Sequence, residues 1–314
     1  MHATRQFRRR AGATLLAALA LGAIAPVWAT AMAVSPAQFL KSGDGRIAYD
    51  DTGGSGPLVL AIPGMGDLRS QYRFIAPELA AAGFRVVTLD LRGHGDTSVQ
   101  WNDYSAHAIG RDALTLIAHL GAGPAIILGN SFAAGSALWA AHDAPAQVRG
   151  VVLLGPVVRD APSSWFARFA LRLGFAGPWR VWFWTTYWNS LFPTRTPADH
   201  AQARAALNAK LHEPGRMEAL WTMIGLSKAE TAALLPESRV PALIIMGSLD
   251  PDFTDPAEEA RWLTASLRAR LLMVEGAGHY PQVEMPEKIL PTLLDFLKEQ
   301  HAEARQNPVT NRGP

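Results

Sequence analysis

Residues 126–135 of this chain read Ile-Ile-Leu-Gly-Asn-Ser-Phe-Ala-Ala-Gly, an apolar run followed by polar and small residues. The run predicts a strand, and a helix-forming stretch, Ala134 to Ala146, follows the polar residues at once. A strand, a sharp turn and a helix in this order are the context of a nucleophile elbow, in which a strained turn presents a serine. Gly129 and Ala133, two residues to either side of Ser131, are small enough for the two backbones to pass closely. A serine that only caps the helix is the alternative.

Composition limits the classes of protein that this chain can represent. With 314 residues, 49% of them hydrophobic and 18% charged, it can form one large domain or a core domain with an insertion. The absence of cysteine excludes disulfides, thiol nucleophiles and cysteine-ligated zinc. Four of the 29 basic residues and none of the 27 acidic residues fall within the first 33 positions, so the remainder has a net charge of −2. That balance does not indicate a nucleic-acid partner.

The N-terminus has the features of a targeting segment. Arg5 and residues 8–10, all arginine, precede the apolar run from Ala11 to Ala25, and Ala31-Met32-Ala33 offers a small-residue cleavage site. The pattern predicts a secretory signal peptide over residues 1–33, cleaved near Ala33, and hence a periplasmic or secreted protein. The apolar run is shorter than the ~20 residues that span a bilayer. An uncleaved N-terminal membrane anchor is the alternative.

Along the rest of the chain, apolar segments of strand length alternate with amphipathic helical segments. Strands are predicted at 45–51, 57–62, 84–91, 125–128, 148–154, 242–246 and 270–274. Helical periodicity precedes Gly83, fills 105–120, follows Pro256 and returns at 286–297. Continuous apolar strands that alternate with helices predict an α/β fold, with a mostly parallel twisted sheet and helices on both faces.

This alternation stops between residues 156 and 238, a segment that we call the helical insertion. It is punctuated by prolines and contains twelve aromatic residues: Trp165, Phe166, Phe169, Phe175, Trp179, Trp182, Phe183, Trp184, Tyr187, Trp188, Phe192 and Trp221. We interpret it as a helical lid inserted into an α/β core whose two parts are residues 34–155 and 239–300. The segment could form an apolar pocket, pack as a plain cap, or contact a membrane. Residues 301–314 are polar and are predicted to be a disordered tail.

Three groups with complementary chemistry follow predicted strands. Ser131, Asp250 and His279 stand at the carboxyl ends of parallel strands, where open α/β sheets place their sites. A serine hydroxyl needs a base, and a histidine base needs a carboxylate to fix its tautomer. Asp252 lies close enough in sequence to be an alternative to Asp250. We find no His/Asp/Glu cluster with metal-ligand spacing, so no metal site is expected.

With these residues the chain resembles the α/β-hydrolase superfamily, in its serine-nucleophile branch, from about residue 45 to 297. The resemblance rests on four segments in order: 63–66, 90–95, 129–133 and 278–287. It implies that the backbone N–H groups of Met65 and Phe132 form the oxyanion hole, and that no cofactor is needed. The chain departs from the common pattern at Ala133, where glycine is usual, and at Pro63, where many members have histidine.

The resemblance implies a serine hydrolase that cleaves a carboxylic ester or a similar acyl compound with an apolar portion. The same triad also serves acyl transfer, perhydrolysis, carbon–carbon bond hydrolysis and lyase chemistry, and some members of the fold only bind ligands. A serine at the elbow argues against epoxide opening, which relatives perform with an aspartate. The expected partner is a small molecule, with possible lipid contact through the insertion, and the sequence leaves the oligomeric state open.

Overall fold

The computed structural model of the protein describes residues 37–43, 45–161 and 164–306. The predicted signal peptide, residues 1–33, and the end of the predicted tail, residues 307–314, lie outside these ranges. Within them, no helix is both long enough and apolar enough to cross a bilayer.

The described residues form one eight-stranded sheet with the order β1-β2-β4-β3-β5-β6-β7-β8. Its strands are β1 (Gln38–Ser42), β2 (Gly45–Asp51), β3 (Leu58–Ile62), β4 (Arg85–Leu89), β5 (Ala125–Asn130), β6 (Val148–Leu154), β7 (Ala242–Gly247) and β8 (Arg270–Val274). The pairs β1–β2 and β2–β4 are antiparallel, and every other neighbouring pair is parallel. The prediction of a mostly parallel α/β sheet is therefore confirmed.

Helices cover both faces of this sheet. The core helices are α1 (Ala76–Ala81), α2 (Ala106–Leu120), α3 (Ala133–Asp143), α9 (Pro256–Leu267), α10 (Pro281–Glu284) and α11 (Pro286–Gln306). Apolar side chains of α2, α3 and α9 pack in one core cluster, whereas those of α1 and α11 pack in another. β3 divides its side chains between the two clusters, Leu60 on one face and Val59 on the other, because successive residues of a strand point to opposite faces.

The helical insertion has a core of its own. Five helices connect β6 to β7: α4 (Trp165–Ala176), α5 (Arg180–Ser190), α6 (His200–Leu211), α7 (Arg216–Ile224) and α8 (Ala229–Leu234). Buried side chains of α4 to α7 form a third apolar cluster, which also includes Tyr280 and Val283 from the sheet domain. The insertion is thus packed against the segment that follows β8.

Most strand bounds agree with the prediction to within two residues, and two larger differences have a physical reason. β1 was not predicted, because its sequence, Gln-Phe-Leu-Lys-Ser, has no continuous apolar run and it forms an antiparallel edge strand. The last helix was predicted to end at Leu297 and a tail to begin at 301, but α11 continues to Gln306. Its amphipathic pattern persists beyond Leu297, with Gln300 buried and Glu299 paired with Arg270.

Candidate active site

Ser131 occupies the strained turn that the elbow pattern predicts. β5 ends at Asn130 and α3 begins at Ala133, and Ser131 between them has a φ of 56°, a region that non-glycine residues rarely adopt. Its N–H donates to the carbonyl oxygen of Leu154 at 2.8 Å, which fixes the turn to the end of β6. A Cβ at Gly129 would lie 2.3 Å from the Ala133 oxygen, so a side chain at this position would separate the strand from the helix.

Asp250 and His279 form a buried pair at the same edge of the sheet. Asp250 follows β7 and His279 follows β8, and His279 Nδ1 lies 2.8 Å from Asp250 Oδ2. The backbone N–H of Asp252 donates to the other oxygen, Asp250 Oδ1, at 3.0 Å. Of the two aspartates that the sequence left as alternatives, Asp250 is the one that bonds to Nδ1.

Gly155 lies directly beside this pair, at the end of β6. A Cβ there would lie 3.1 Å from His279 Nδ1 and 3.2 Å from Asp250 Oδ2. Asn130, next to Ser131, donates from Nδ2 to the Leu154 oxygen at 2.9 Å and to the His279 oxygen at 3.4 Å. The segments that carry the serine, the aspartate and the histidine therefore converge on the end of β6.

The second nitrogen of His279 faces a second carboxylate. His279 Nε2 lies 3.5 Å from Asp252 Oδ2, and Asp252 Oδ1 accepts a hydrogen bond of 2.5 Å from the Tyr187 hydroxyl. In the described part of the chain, no hydrogen bond joins Ser131 Oγ to the imidazole. Asp252 was predicted only as a substitute for Asp250, and Tyr187 was not singled out, because α5 is far from both aspartates in sequence.

Together, Asp250, Asp252 and His279 correct one expectation. The sequence shows no cluster with metal-ligand spacing, yet one ligand atom from each of these three residues lies within 4.8 Å of the others. Two carboxylates on either side of one imidazole also stabilise the protonated ring without a metal, since that ring is a cation.

The charge of His279 follows from these neighbours. Burial alone would lower the pKa of the imidazole, but the carboxylates of Asp250 and Asp252 outweigh it and raise the pKa to about 9. In this arrangement the ring is therefore protonated at neutral pH. A general base must be unprotonated, so the activity of this site is expected to increase as the pH rises toward 9.

The turn that follows β3 lies against the serine. A Cβ at Gly64 would be 3.0 Å from Ser131 Cβ, so the glycine allows this turn to approach the elbow. In the part of the chain that the structure describes, neither the Met65 N–H nor the Phe132 N–H donates to another backbone group. These two donors remain the predicted oxyanion hole.

Helix α5 of the insertion is attached to this turn by two tryptophans. Trp184 Nε1 donates to the Gly66 oxygen at 3.0 Å, and Trp188 Nε1 donates to Asp67 Oδ2 at 3.1 Å. Asp67 is buried, which raises the pKa of its carboxyl, and it also accepts from Gln71 and from the Leu68 N–H. The sequence contains no local signal for this cluster, since its members come from two segments more than a hundred residues apart.

Glu284 of α10 is bonded to the loop that carries His279. Its Oε1 accepts from the Gly278 N–H at 2.7 Å, and burial raises the pKa of the Glu284 carboxyl to about 7. A Cβ at Gly278 would lie 2.3 Å from Pro193 Cδ, so the loop and the insertion are in contact here. Glu284 belongs to the segment 278–287 that carried the resemblance.

The groups of this site are covered in the present arrangement. Ser131 is 7% exposed and His279 is 2% exposed. A cavity of about 1020 Å³ lies between the loop 98–104 and α7, and neither residue lines it.

Comparison with known proteins agrees with this geometry. The family model described as "alpha/beta hydrolase fold" matches residues 57–286, which include the elbow, both aspartates and His279. The chain belongs to the α/β-hydrolase family.

Curated relatives match this α/β-hydrolase over part of their length. It is 34% identical to bifunctional epoxide hydrolase 2 of Sus scrofa over 104 residues. This alignment covers 32% of this chain and 19% of that protein. It is 33% identical over 139 residues to epoxide hydrolase B of Mycobacterium tuberculosis, which covers 41% of this chain and 39% of that protein. The aligned region thus spans less than half of either relative.

Solved structures resemble this α/β-hydrolase over most of both chains. An esterase from Exiguobacterium antarcticum superimposes with a TM-score of 0.72 at 21% sequence identity. The aligned region covers 83% of this chain and 98% of the esterase chain. The 2-hydroxy-6-oxo-6-phenylhexa-2,4-dienoate hydrolase from a Rhodococcus species has a TM-score of 0.71 at 21% identity, with the same coverage of 83% and 98%. At this level of identity the likeness concerns the fold.

Proposed function

We propose that this chain is a serine hydrolase that cleaves a carboxylic ester, or a similar acyl compound, with an apolar portion. The observation that carries the proposal is the 2.8 Å contact between His279 Nδ1 and Asp250 Oδ2, at the sheet edge that also holds the strained Ser131. A buried carboxylate on Nδ1 fixes the tautomer that leaves Nε2 as the base, and a serine nucleophile needs such a base. Membership of the α/β-hydrolase family supports the same chemistry.

The reaction begins when Ser131 Oγ attacks the carbonyl carbon and His279 Nε2 takes the proton of the hydroxyl. The N–H groups of Met65 and Phe132 then donate to the oxyanion, each with about 3–4 kcal/mol of transition-state stabilisation. His279 gives the proton to the leaving alcohol, and the acyl group remains on Ser131 as an ester. Water, deprotonated by the same imidazole, attacks this ester and releases the acid and the free serine.

The identity of the nucleophile favours acyl chemistry over epoxide opening. Two of the relatives are epoxide hydrolases, and the resemblance implies that such members use an aspartate at the elbow, where this chain has Ser131. A serine that attacks a carbonyl forms an acyl-enzyme, which water can hydrolyse. A carboxylic ester is therefore the substrate class that fits this elbow best.

The inward face of the insertion supports an apolar portion in the substrate. Trp184 and Trp188 of α5 are buried and reach the turn beside Ser131, and Phe175 of α4 packs against Trp184 with ring centroids 6.1 Å apart. Aromatic side chains near a polar centre are typical of ligand sites that combine apolar contact with a few placed polar groups.

The test uses a fluorophosphonate probe, which reacts with activated serines, and short p-nitrophenyl esters. We expect the wild-type protein to be labelled, and Ser131→Ala to lose labelling and at least about 10³-fold in kcat/KM. Ser136→Ala is the matched control, because Ser136 is a buried serine of the adjacent helix α3. If the folded wild-type protein neither reacts with the probe nor cleaves any ester of a chain-length series, the proposal is wrong. Product analysis with added alcohol separates hydrolysis from acyl transfer.

A further inference from the structure

Exposed aromatic side chains are concentrated on one part of the insertion. Nine large apolar side chains are exposed in the described ranges, and six of them fall within residues 165–182. These six, which we call the aromatic face, are Trp165, Phe166, Phe169, Leu173, Trp179 and Trp182. Clustered exposed apolar side chains of this kind mark interaction sites, whereas apolar side chains scattered singly on a surface need no explanation.

The geometry of α4 and α5 places these side chains together. Trp165, Phe169 and Leu173 are four residues apart on α4, so they share one side of that helix. Trp179 Nε1 donates to the Leu173 oxygen at 3.0 Å, which attaches the connection between the two helices to α4. Trp182 is exposed on the first turn of α5.

The same two helices have a separate inward face. Phe175 of α4 and Trp184 of α5 are buried in the core of the insertion, and Trp184 bonds to the turn beside Ser131. The core of the insertion is therefore formed by residues outside the aromatic face. The exposed rings are free to contact something outside the protein.

The charged residues of the segment that carries the aromatic face are all basic. Between Asp160 and Asp199 the sequence contains four arginines and no acidic residue. Arg180 pairs with Glu218 and Arg195 pairs with Glu287, both through exposed ion pairs. Arg168 and Arg172 are exposed on α4 beside the aromatic face and are one helical turn apart.

We propose that the aromatic face, with Arg168 and Arg172, docks the protein on the surface of an anionic lipid bilayer. Tryptophan and phenylalanine rings partition to the level of the lipid headgroups, where one part of the ring is in an apolar and another in a polar environment. Arginines in the same surface bind lipid phosphates and give a preference for negative charge. A basic helix with one aromatic side has the composition that interfacial helices use.

This surface also narrows the substrate class, in a step that rests on the proposed function. The outer side of α5 would contact the bilayer, and its inner side bonds to the turn beside Ser131 and to Asp252. A protein held in this way meets amphiphilic esters that are dissolved in the membrane. We therefore assign the substrate to the class of membrane-resident acyl esters.

The experiment measures flotation of residues 34–314 with vesicles of phosphatidylcholine alone and of phosphatidylcholine with one quarter phosphatidylglycerol. The predicted signal peptide is left out, because its arginines and apolar run would bind anionic vesicles themselves. It uses the Ser131→Ala background, so that binding is measured without turnover. We expect preferential binding to the anionic vesicles. The pair Arg168→Glu with Arg172→Glu should weaken it at least about 25-fold, because each basic residue near an anionic surface contributes a factor of about five. The pair Arg261→Glu with Lys298→Glu is the control, since it makes the same charge change at exposed positions of α9 and α11.

The aromatic contribution is tested by Trp165→Ser with Phe169→Ser, against Leu249→Ser, an exposed apolar residue outside the aromatic face. The proposal is overturned if the arginine pair floats with anionic vesicles as the wild-type chain does. It is also overturned if light scattering without lipid shows a dimer that the aromatic variants dissociate, because a second copy would then occupy this face. Circular dichroism and fluorophosphonate labelling of the same variants with Ser131 restored show whether each one is folded.

The substrate class is tested separately with active protein, on one ester presented in anionic vesicles and on a soluble p-nitrophenyl ester. We expect the arginine pair to lower hydrolysis of the vesicle ester about tenfold or more, with soluble turnover unchanged. Equal turnover of the vesicle ester by both proteins would refute the membrane-resident substrate. If the wild-type protein hydrolyses neither ester, the proposed hydrolase activity is wrong. The flotation result would still stand, because it is measured without turnover.

Discussion

The carboxyl edge of the sheet and the helical insertion contribute to the same site in different ways. At the sheet edge, Ser131, Asp250 and His279 each lie within about five residues of the end of a strand, so the position of each side chain is fixed by a short local segment. The insertion contributes Tyr187 and Trp188 from the last turn of α5, through contacts with Asp252 and with Asp67. The predicted triad is therefore positioned by local backbone geometry, and its surroundings by long-range packing.

The largest effect is expected where the sheet edge has no space for a side chain. Gly155→Ala places a Cβ 3.1 Å from His279 Nδ1 and 2.9 Å from the His279 oxygen, so the imidazole must shift. A misplacement of about 1 Å costs about 10²-fold in rate, and we expect kcat/KM for a p-nitrophenyl ester to fall by about that factor. Gly121→Ala is the control, because Gly121 also has a positive φ, of 58°, but a Cβ there meets nothing within 4 Å. Equal losses in the two variants would mean that backbone strain, and not the contact with His279, is responsible.

An intermediate effect is expected within α5, where two tryptophans face opposite ways. Trp188 is buried, donates to Asp67 and stacks on His200 with ring centroids 5.0 Å apart, whereas Trp182 is exposed. We expect Trp188→Leu to lower the free energy of unfolding by about 3 kcal/mol, and Trp182→Leu to change it by less than about 0.5 kcal/mol. Urea denaturation followed by circular dichroism measures both values. If both variants lose the same free energy, the division of α5 into an inner and an outer face is wrong.

The smallest effect is expected from the negative charge of Asp252, which lies in the loop after β7 and close to His279. Asp252→Asn removes a carboxylate that raises the pKa of His279, so the imidazole loses its proton at lower pH. We expect the acid limb of the kcat/KM profile to move to a pH about one unit lower. At pH 7 the variant should therefore reach a larger fraction of its own maximal kcat/KM than the wild-type protein does. Other titratable groups near the ring, which the substitution leaves in place, are Asp250, Asp67, Glu284 and Tyr280.

Asp255→Asn is the control for this variant. It makes the same charge change three residues away, and asparagine preserves the cap that Asp255 forms on α9 through the Glu258 N–H. An acid limb that stays in place in Asp252→Asn, or that moves equally in Asp255→Asn, contradicts the assigned role of Asp252.

Much of the sheet could be predicted because most of its strands are apolar runs bounded by turn residues. β6 and β8 have the predicted bounds, and α2 lies between the predicted cap, Ser105, and the predicted terminator, Gly121. β1 could not be predicted, since an edge strand with mixed polarity has no periodic signal of its own.

The site was predictable to the same extent, and for the same reason. Ser131, Asp250 and His279 were found because turn residues after apolar strands are visible in sequence, although their catalytic roles stay predictions. The second carboxylate beside His279 and the attachment of Asp67 to Trp188 were not found. In a segment with an aromatic residue at nearly every turn, periodicity does not separate rings that face the site from rings that face solvent.

The two hydrogen bonds from α5 to the turn after β3 have a consequence for protein engineering. Because Trp184 bonds to Gly66 and Trp188 bonds to Asp67, the insertion and that turn are complementary surfaces rather than independent modules. A chimera that receives its insertion from another member of the family has to receive residues 66–71 with it, or the graft would leave the Asp67 carboxylate buried without its indole donor. The unit of exchange is therefore discontinuous in the chain, and libraries that recombine this protein at the strand ends alone would break it.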